Sequence, residues 1–234
     1  MSERKNFVHL ILAGFFITNA IVAELIGGKL ISIPIPLPFV SDYPVASLGV
    51  IPWPVVFITT DLVNEYFGRA GVRRLTFLTT GLIIFTFVVL YFSILIPAAS
   101  FSPVPDKEFN LVFGQSLWII VGSVTAFLVA QLVDVTVFWF FRDRTGGKML
   151  WLRATGSTTV SQLVDTFIVL GIAFWIPGKI TTNEYLTLSL TNYSYKFIIA
   201  VLLTPLIYAA HATIDNYLGE REAKALIDKA EYKL

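Results

Sequence analysis

Leu117-Trp-Ile-Ile-Val-Gly-Ser-Val-Thr-Ala-Phe-Leu-Val-Ala-Gln131-Leu-Val-Asp134-Val-Thr-Val-Phe-Trp-Phe-Phe141 is long enough to cross a bilayer as a helix, yet it carries a carboxylate deep inside. The same tetrapeptide, Gln-Leu-Val-Asp, returns at Gln162–Asp165 in a second apolar run. An ionisable side chain near a bilayer centre costs about 2.5–3.5 kcal/mol on insertion scales, so it turns toward a bundle interior and tends to carry function. Each Gln precedes its Asp by three residues, which puts both on one helical face.

The rest of the chain fits a bilayer. Hydrophobic residues make up 56% of the 234 and charged residues only 14%, where a soluble domain has about a quarter charged. A span needs about 20 mostly apolar residues, and six segments approach that: 7–27, 45–67, 75–97, 117–141, 157–177 and 194–217. The expected fold is an all-α integral membrane protein, one domain of six transmembrane helices. The first run follows Arg4 and Lys5 as a signal peptide would, but it is long and lacks a small-x-small cleavage site, so it is kept as a helix. The chain has no Cys, which excludes a disulfide framework, a thiolate metal site and a cysteine nucleophile. A net charge of +1 gives no reason to expect nucleic acid.

Alternating the connections between the two sides collects thirteen basic residues on one, among them Arg69, Arg73, Arg74, Arg142, Arg144 and Arg153. The other side receives four: Lys29, Lys107, Lys179 and Lys196. The positive-inside rule then places both termini in the cytoplasm, which requires an even number of spans.

Prolines 34, 36, 38 and 44 should keep the first connection extended, because each lacks a backbone donor. Pro52-Trp53-Pro54 either breaks the second span at membrane depth or marks its true start, with 45–53 at the outer interface. Trp53 lies near the mouth of the bundle on both readings. The short basic loop 142–148 makes the fourth and fifth helices antiparallel neighbours, and similar distances from its ends put Asp134 and Asp165 at one level. The two tetrapeptides then run in opposite senses, as in a 3+3 inverted repeat. In the second helix Asp61 is deep, whereas Glu65 is either a site residue or the partner of Arg69 one turn on. Glu24, His211 and Asp215 are expected at interfaces, and Lys196 is either an anchor or the partner of a buried carboxylate.

Thr60-Asp61-x-x-x-Glu65-x-Phe-Gly68, Gln131-x-x-Asp134-x-x-x-Phe138, Trp151-Leu-Arg153, Ser157 leading to Asp165-Thr166, Ala173-Phe174, Tyr195-Lys196-Phe197, and Asn19 with Lys29 resemble the vitamin uptake transporter, or queuosine precursor transporter, family. The similarity runs from the first helix to the sixth. It implies an inner-membrane importer of 7-deazaguanine bases, the cyano and aminomethyl precursors of the tRNA nucleoside queuosine, that works without a cofactor. It also implies a likeness to the membrane substrate-binding subunits of energy-coupling-factor vitamin transporters, although the first helix lacks the Ala-x-x-x-Ala pattern those subunits use.

The chemistry suits such a ligand. A guanine-type base presents N1–H beside an exocyclic amine, which one carboxylate accepts together, and Gln both donates and accepts. Aromatic faces would hold the ring, with Trp53, Phe57, Trp118, Trp139 and Trp175 as candidates. The expected substrate-binding set is therefore Asn19, Trp53, Phe57, Asp61, Glu65, Gln131, Asp134, Gln162, Asp165 and Lys196. Two other transport readings use the same residues: a proton- or cation-coupled carrier of a different small molecule, and the binding subunit of an ATP-driven importer. An intramembrane enzyme built on paired aspartates is disfavoured, because no His falls in mid-membrane and no base stands beside Ser157 or Ser161. The expected partners are the base and the lipid bilayer, and a homodimer is a possible assembly.

Overall fold

The computed structural model describes residues 3–32, 45–114, 117–146 and 148–231. The prolines at 34, 36, 38 and 44 lie outside these residues. The described residues are helical nearly throughout, and among them five helices are long and apolar enough to cross a membrane. They are α1 (Glu3–Ile26), α2 (Trp53–Ile94), α4 (Leu117–Thr145), α5 (Leu150–Leu170) and α6 (Thr182–Leu218). Short α3 (Asp106–Phe113) and C-terminal α7 (Glu220–Glu231) complete the helical set. Many large apolar side chains point outward, Leu10, Phe85 and Leu202 among them, as lipid-facing residues do in a multi-pass membrane protein.

Several boundaries differ from the hydropathy reading. The second helix begins at Trp53, not at 45, with Pro54 in the first turn where its missing N–H costs nothing. The residues before it form a strand, β2 (Val45–Ser47), antiparallel to β1 (Leu30–Ser32), and then a single 3₁₀ turn, Leu48–Val50. This small ribbon is the one departure from an all-α chain among the described residues. The fifth helix starts at Leu150 rather than 157 and passes into a π-helical turn, Gly171–Trp175. The sixth starts at Thr182 rather than 194, under a reciprocal cap in which Thr181 Oγ1 accepts from Glu184 N and Glu184 accepts from Thr181 N. Hydropathy windows miss these extensions because helical hydrogen bonding continues through polar residues that the window penalises.

The second and third expected spans are joined without a loop. Gly68 (φ 72°, ψ −178°) interrupts α2, in a region of backbone space reserved for glycine. Eight residues of straight helix would separate Val63 from Gly71 by about 12 Å. A Cβ on Gly71 would instead lie 3.5 Å from Val63 Cγ1, so the second segment (69–94) turns sharply off the axis of the first (53–67).

Cross-helix contacts give the directions. His9 packs on Phe67, and a Cβ on Gly49 would meet Ala23 O, which makes α1 antiparallel to the first segment of α2. That segment runs parallel to α4, since Thr60 meets Gln131 and Glu65 meets Arg142. α5 is antiparallel to α4 through Ser161 and Asp134, and α6 is antiparallel to α5 through the Lys196–Asp165 and Thr204–Thr155 contacts. The core of Phe16, Val56, Val63, Tyr66, Phe127 and Phe138 fills the space among α1, α2 and α4.

α7 lays Ala223, Leu226 and Ala230 into this core and covers Gly68, where an added Cβ would come within 3.1 Å of Ala230 O. Gly68→Ala therefore meets both a forbidden φ and the α7 backbone, at a cost of about 1–3 kcal/mol for the conformation alone. The expected outcome is a lowered melting temperature in detergent together with faster proteolysis of the 219–231 segment. An unchanged melting curve and cleavage rate would contradict the described turn.

Candidate functional site

α2, α5 and α6 line a narrow cleft between them. α2 contributes Trp53, Phe57, Ile58 and Asp61; α5 contributes Thr155, Thr158 and Gln162; α6 contributes Lys196, Leu203 and Ile207. Periodicity explains the arrangement. Residues 53, 57 and 61 follow at four-residue steps along one face of α2, and 155, 158 and 162 follow at steps of three and four along one face of α5. Trp53 and Phe57 stack, with ring centroids 5.6 Å apart and planes inclined by 19°, and form an aromatic wall.

Below that wall the polar groups are unsatisfied. Asp61 is 1% exposed, and neither of its carboxylate oxygens has a hydrogen-bond partner among the described residues. Gln162, also 1% exposed, leaves both its amide oxygen and its amide nitrogen without partners among the described residues. Buried polar atoms are rarely left alone, because each unmade hydrogen bond costs about 1–3 kcal/mol and more when the group is charged. Two of them lining one cleft, from α2 and from α5, are the pattern of a site that completes its hydrogen bonds with a ligand.

The other acids are engaged. Glu65 accepts from Arg142 Nη1 at 2.9 Å and from Arg153 Nη2 at 2.7 Å, and all three side chains are buried. Arg142 also lies over the Trp139 ring at 4.9 Å. Glu65 is thus neither a cleft residue nor the partner of Arg69, which reaches Asp143 at 3.6 Å instead. Asp165 accepts from Lys196 Nζ at 2.6 Å, so Lys196 is the partner of a buried carboxylate, with its stem on the cleft wall. Asp134 Oδ1 lies 3.1 Å from Ser161 Oγ, while its Oδ2 has no partner among the described residues. Gln131 Oε1 lies 3.2 Å from Thr60 Oγ1.

Of the ten residues expected to bind substrate, Trp53, Phe57, Asp61, Gln162 and Lys196 line the cleft. Asp165 stands behind Lys196, and Gln131 and Asp134 sit in the α2–α4 and α4–α5 contacts. Asn19 turns back to donate to Phe15 O at 2.8 Å, away from the cleft. The two aspartates of the repeat are not level. Ser161 pairs with Asp134 and Asp165 comes four residues later, so the acids are offset by one turn, about 6 Å.

Among the other candidate aromatics, Trp139 is buried and donates to Asn64 Oδ1 at 3.3 Å, while Trp118 and Trp175 are exposed. Glu24 is buried and accepts from Ser123 Oγ rather than facing an interface. His211 is buried as well, in contact with Tyr66. Sequence reading passed over Thr155 and Thr158, although their spacing from Gln162 already placed them on its face. It also counted Arg142 and Arg153 as interfacial cations. Among the described residues no group of three or more His, Cys, Asp or Glu side chains could hold a metal ion.

Glu65→Gln would leave two buried guanidinium groups facing a neutral amide. Breaking a buried ion pair costs about 3–5 kcal/mol, so the variant is expected to melt well below the wild type in detergent, or to fail to accumulate. Melting at the wild-type temperature would show that the cluster does not hold the helices.

Comparison with known proteins places this geometry. Residues 47–210 match the family described as "Putative vitamin uptake transporter". A protein of Bacillus subtilis (strain 168) named "Probable queuosine precursor transporter" is 34% identical over 173 residues, 73% of this chain and 74% of the relative. A protein of the same name from Haemophilus influenzae is 28% identical over 158 residues, 66% of this chain and 63% of the relative. No solved structure matches the chain.

Proposed function

Because the chain belongs to the vitamin uptake transporter family, we propose that it imports queuosine precursors, 7-cyano- and 7-aminomethyl-7-deazaguanine, across the inner membrane. The observation that carries this reading is the unpartnered Asp61 carboxylate sharing a cleft with the unpartnered Gln162 amide, below a stacked Trp53–Phe57 wall. The donors and acceptors of a deazaguanine ring suit the chemistry of this set. Asp61 accepts N1–H and the exocyclic amine, the Gln162 amide donates to O6, and an aromatic face takes the flat ring. Base-on-aromatic stacking contributes about 1–3 kcal/mol in single-stranded nucleic-acid complexes, enough to seat a small planar ligand. Lys196, paired with Asp165, also lines the cleft and is assigned to the 7-substituent.

Six crossings with both termini cytoplasmic complete the proposal. The first segment of α2 runs parallel to α4, so the chain between them must cross back, and 69–94 is the apolar segment available to do so. Three helices up to residue 94 and three from Leu117 would then form inverted halves, with the cleft at their meeting. The basic residues Arg69, Arg73, Arg142 and Arg144 gather at the end of the bundle where α7 lies, which supports that end as cytoplasmic.

Thermal unfolding of the purified protein in detergent, across purines, pterins and 7-deazaguanines, tests the substrate class. Ligand that binds the folded state stabilises it by about 2.7 kcal/mol at a hundredfold excess over the dissociation constant. A concentration-dependent rise in melting temperature is expected with both 7-deazaguanines and not with adenine, whose Watson–Crick edge offers Asp61 no pair of adjacent donors. Equal stabilisation by adenine, or none by either deazaguanine, would overturn the reading.

A further inference from the structure

One buried cluster lies outside the cleft and takes no part in holding the base. Tyr66 Oη is 2.6 Å from Asp215 Oδ1 and 3.1 Å from His211 Nδ1, so it joins α2 to α6. A phenol has a single hydrogen, and the 2.6 Å contact is the length of an O–H donated to a carboxylate. Tyr66 Oη is then an acceptor toward the ring, and His211 Nδ1 carries the hydrogen. In a neutral imidazole that leaves Nε2 as the atom with a free lone pair. Nε2 is buried and has no hydrogen-bond partner among the described residues.

The position of the cluster matters as much as its chemistry. His211 follows the cleft residue Ile207 by one helical turn, and Tyr66 follows Asp61 by five residues. The cluster therefore lies between the cleft and the basic end of the bundle. The charged groups around the ring are Glu65 from α2, Asp215 from α6, Arg153 from α5 and Arg142 from α4.

We propose that Nε2 of His211 is a proton-binding site that couples entry of the base to entry of a proton. A proton arriving from the outer solution bonds to Nε2 and makes an imidazolium. That cation is bridged to Asp215 through Tyr66, tightens the α2–α6 contact, and gives up its proton to the cytoplasm when the contact opens. No other group changes its covalent bonding. The inference rests on the import reading above, since it supplies that import with its driving ion.

Two measurements test it. Histidine occurs only at positions 9 and 211, so nitrogen-15 histidine NMR of the wild type, assigned with His9→Gln, reports the ring directly. A ring of His211 protonated at Nδ1 and bare at Nε2 is expected at neutral pH, and the opposite tautomer would overturn the proposal without any variant at the site. In proteoliposomes, the wild type should accumulate 7-aminomethyl-7-deazaguanine severalfold under an outside-acid gradient. His211→Gln should only equilibrate it, to an inside-to-outside ratio of one, while keeping the wild-type thermal shift with the base. Accumulation by His211→Gln equal to wild type would overturn the proposal. So would wild-type binding with equilibration that ignores the gradient, which would leave the import reading standing. Failure of the wild type to bind any 7-deazaguanine would sink both.

Discussion

Glu65, held between Arg142 and Arg153, is the contact on which the rest of the arrangement depends. Three helices bring one charged group each to a point that lipid and water do not reach. Removing those charges from water is costly, and the cost is offset only when hydrogen bonds and aromatic faces surround them. Here both Glu65 oxygens are used, Arg142 lies on Trp139, and Arg153 lies 5.8 Å from the centroid of Phe138. The relative rotation of α2, α4 and α5 is thereby fixed. One turn back along α2 the same rotation points Asp61 into the cleft, where its oxygens have no hydrogen-bond partner among the described residues.

The molecule thus separates acids that build from an acid that waits. Glu65 and Asp165 are neutralised by cations, Glu24 and Asp134 are steadied by hydroxyls, and Asp61 and Gln162 are left open under the aromatic wall. A carrier needs this division. A site fully satisfied by its own side chains would gain nothing from substrate, whereas an open carboxylate makes the ligand-free cleft the less stable state. Pro205, in α6 between cleft residues Leu203 and Ile207, removes one backbone hydrogen bond beside the site and gives that wall a point at which to bend.

Much of this was legible in the sequence, and for a physical reason. Charge is so costly in an apolar helix that Asp61, Asp134 and Asp165 announced themselves, and Trp53 and Phe57 stood out as aromatic candidates near them. What composition cannot give is partner choice. Whether Glu65 pairs with Arg69 on its own helix or with Arg142 and Arg153 across the bundle depends on helix rotation, which no spacing encodes. The offset of Asp134 and Asp165 escaped for a related reason: helix ends were taken from hydropathy, and α5 begins seven residues before its apolar run. The break between the second and third apolar runs was legible from Arg69, Arg73 and Arg74, but not that helix continues on both sides of a single interrupting glycine, Gly68. Asn19 looked like a site residue by type alone, yet it spends its amide on its own helix.

The central claim is that the Asp61 carboxylate waits for the ligand's paired donors, and calorimetric titration of Asp61→Asn with 7-deazaguanine bases tests it most directly. The substitution keeps the volume and replaces one acceptor with a donor at a buried group that has no hydrogen bond among the described residues. The account predicts a folded protein that melts no lower than wild type and shows at least a hundredfold loss of affinity, about 2.7 kcal/mol. Wild-type affinity in Asp61→Asn, or its collapse into an unfolded chain, would contradict it.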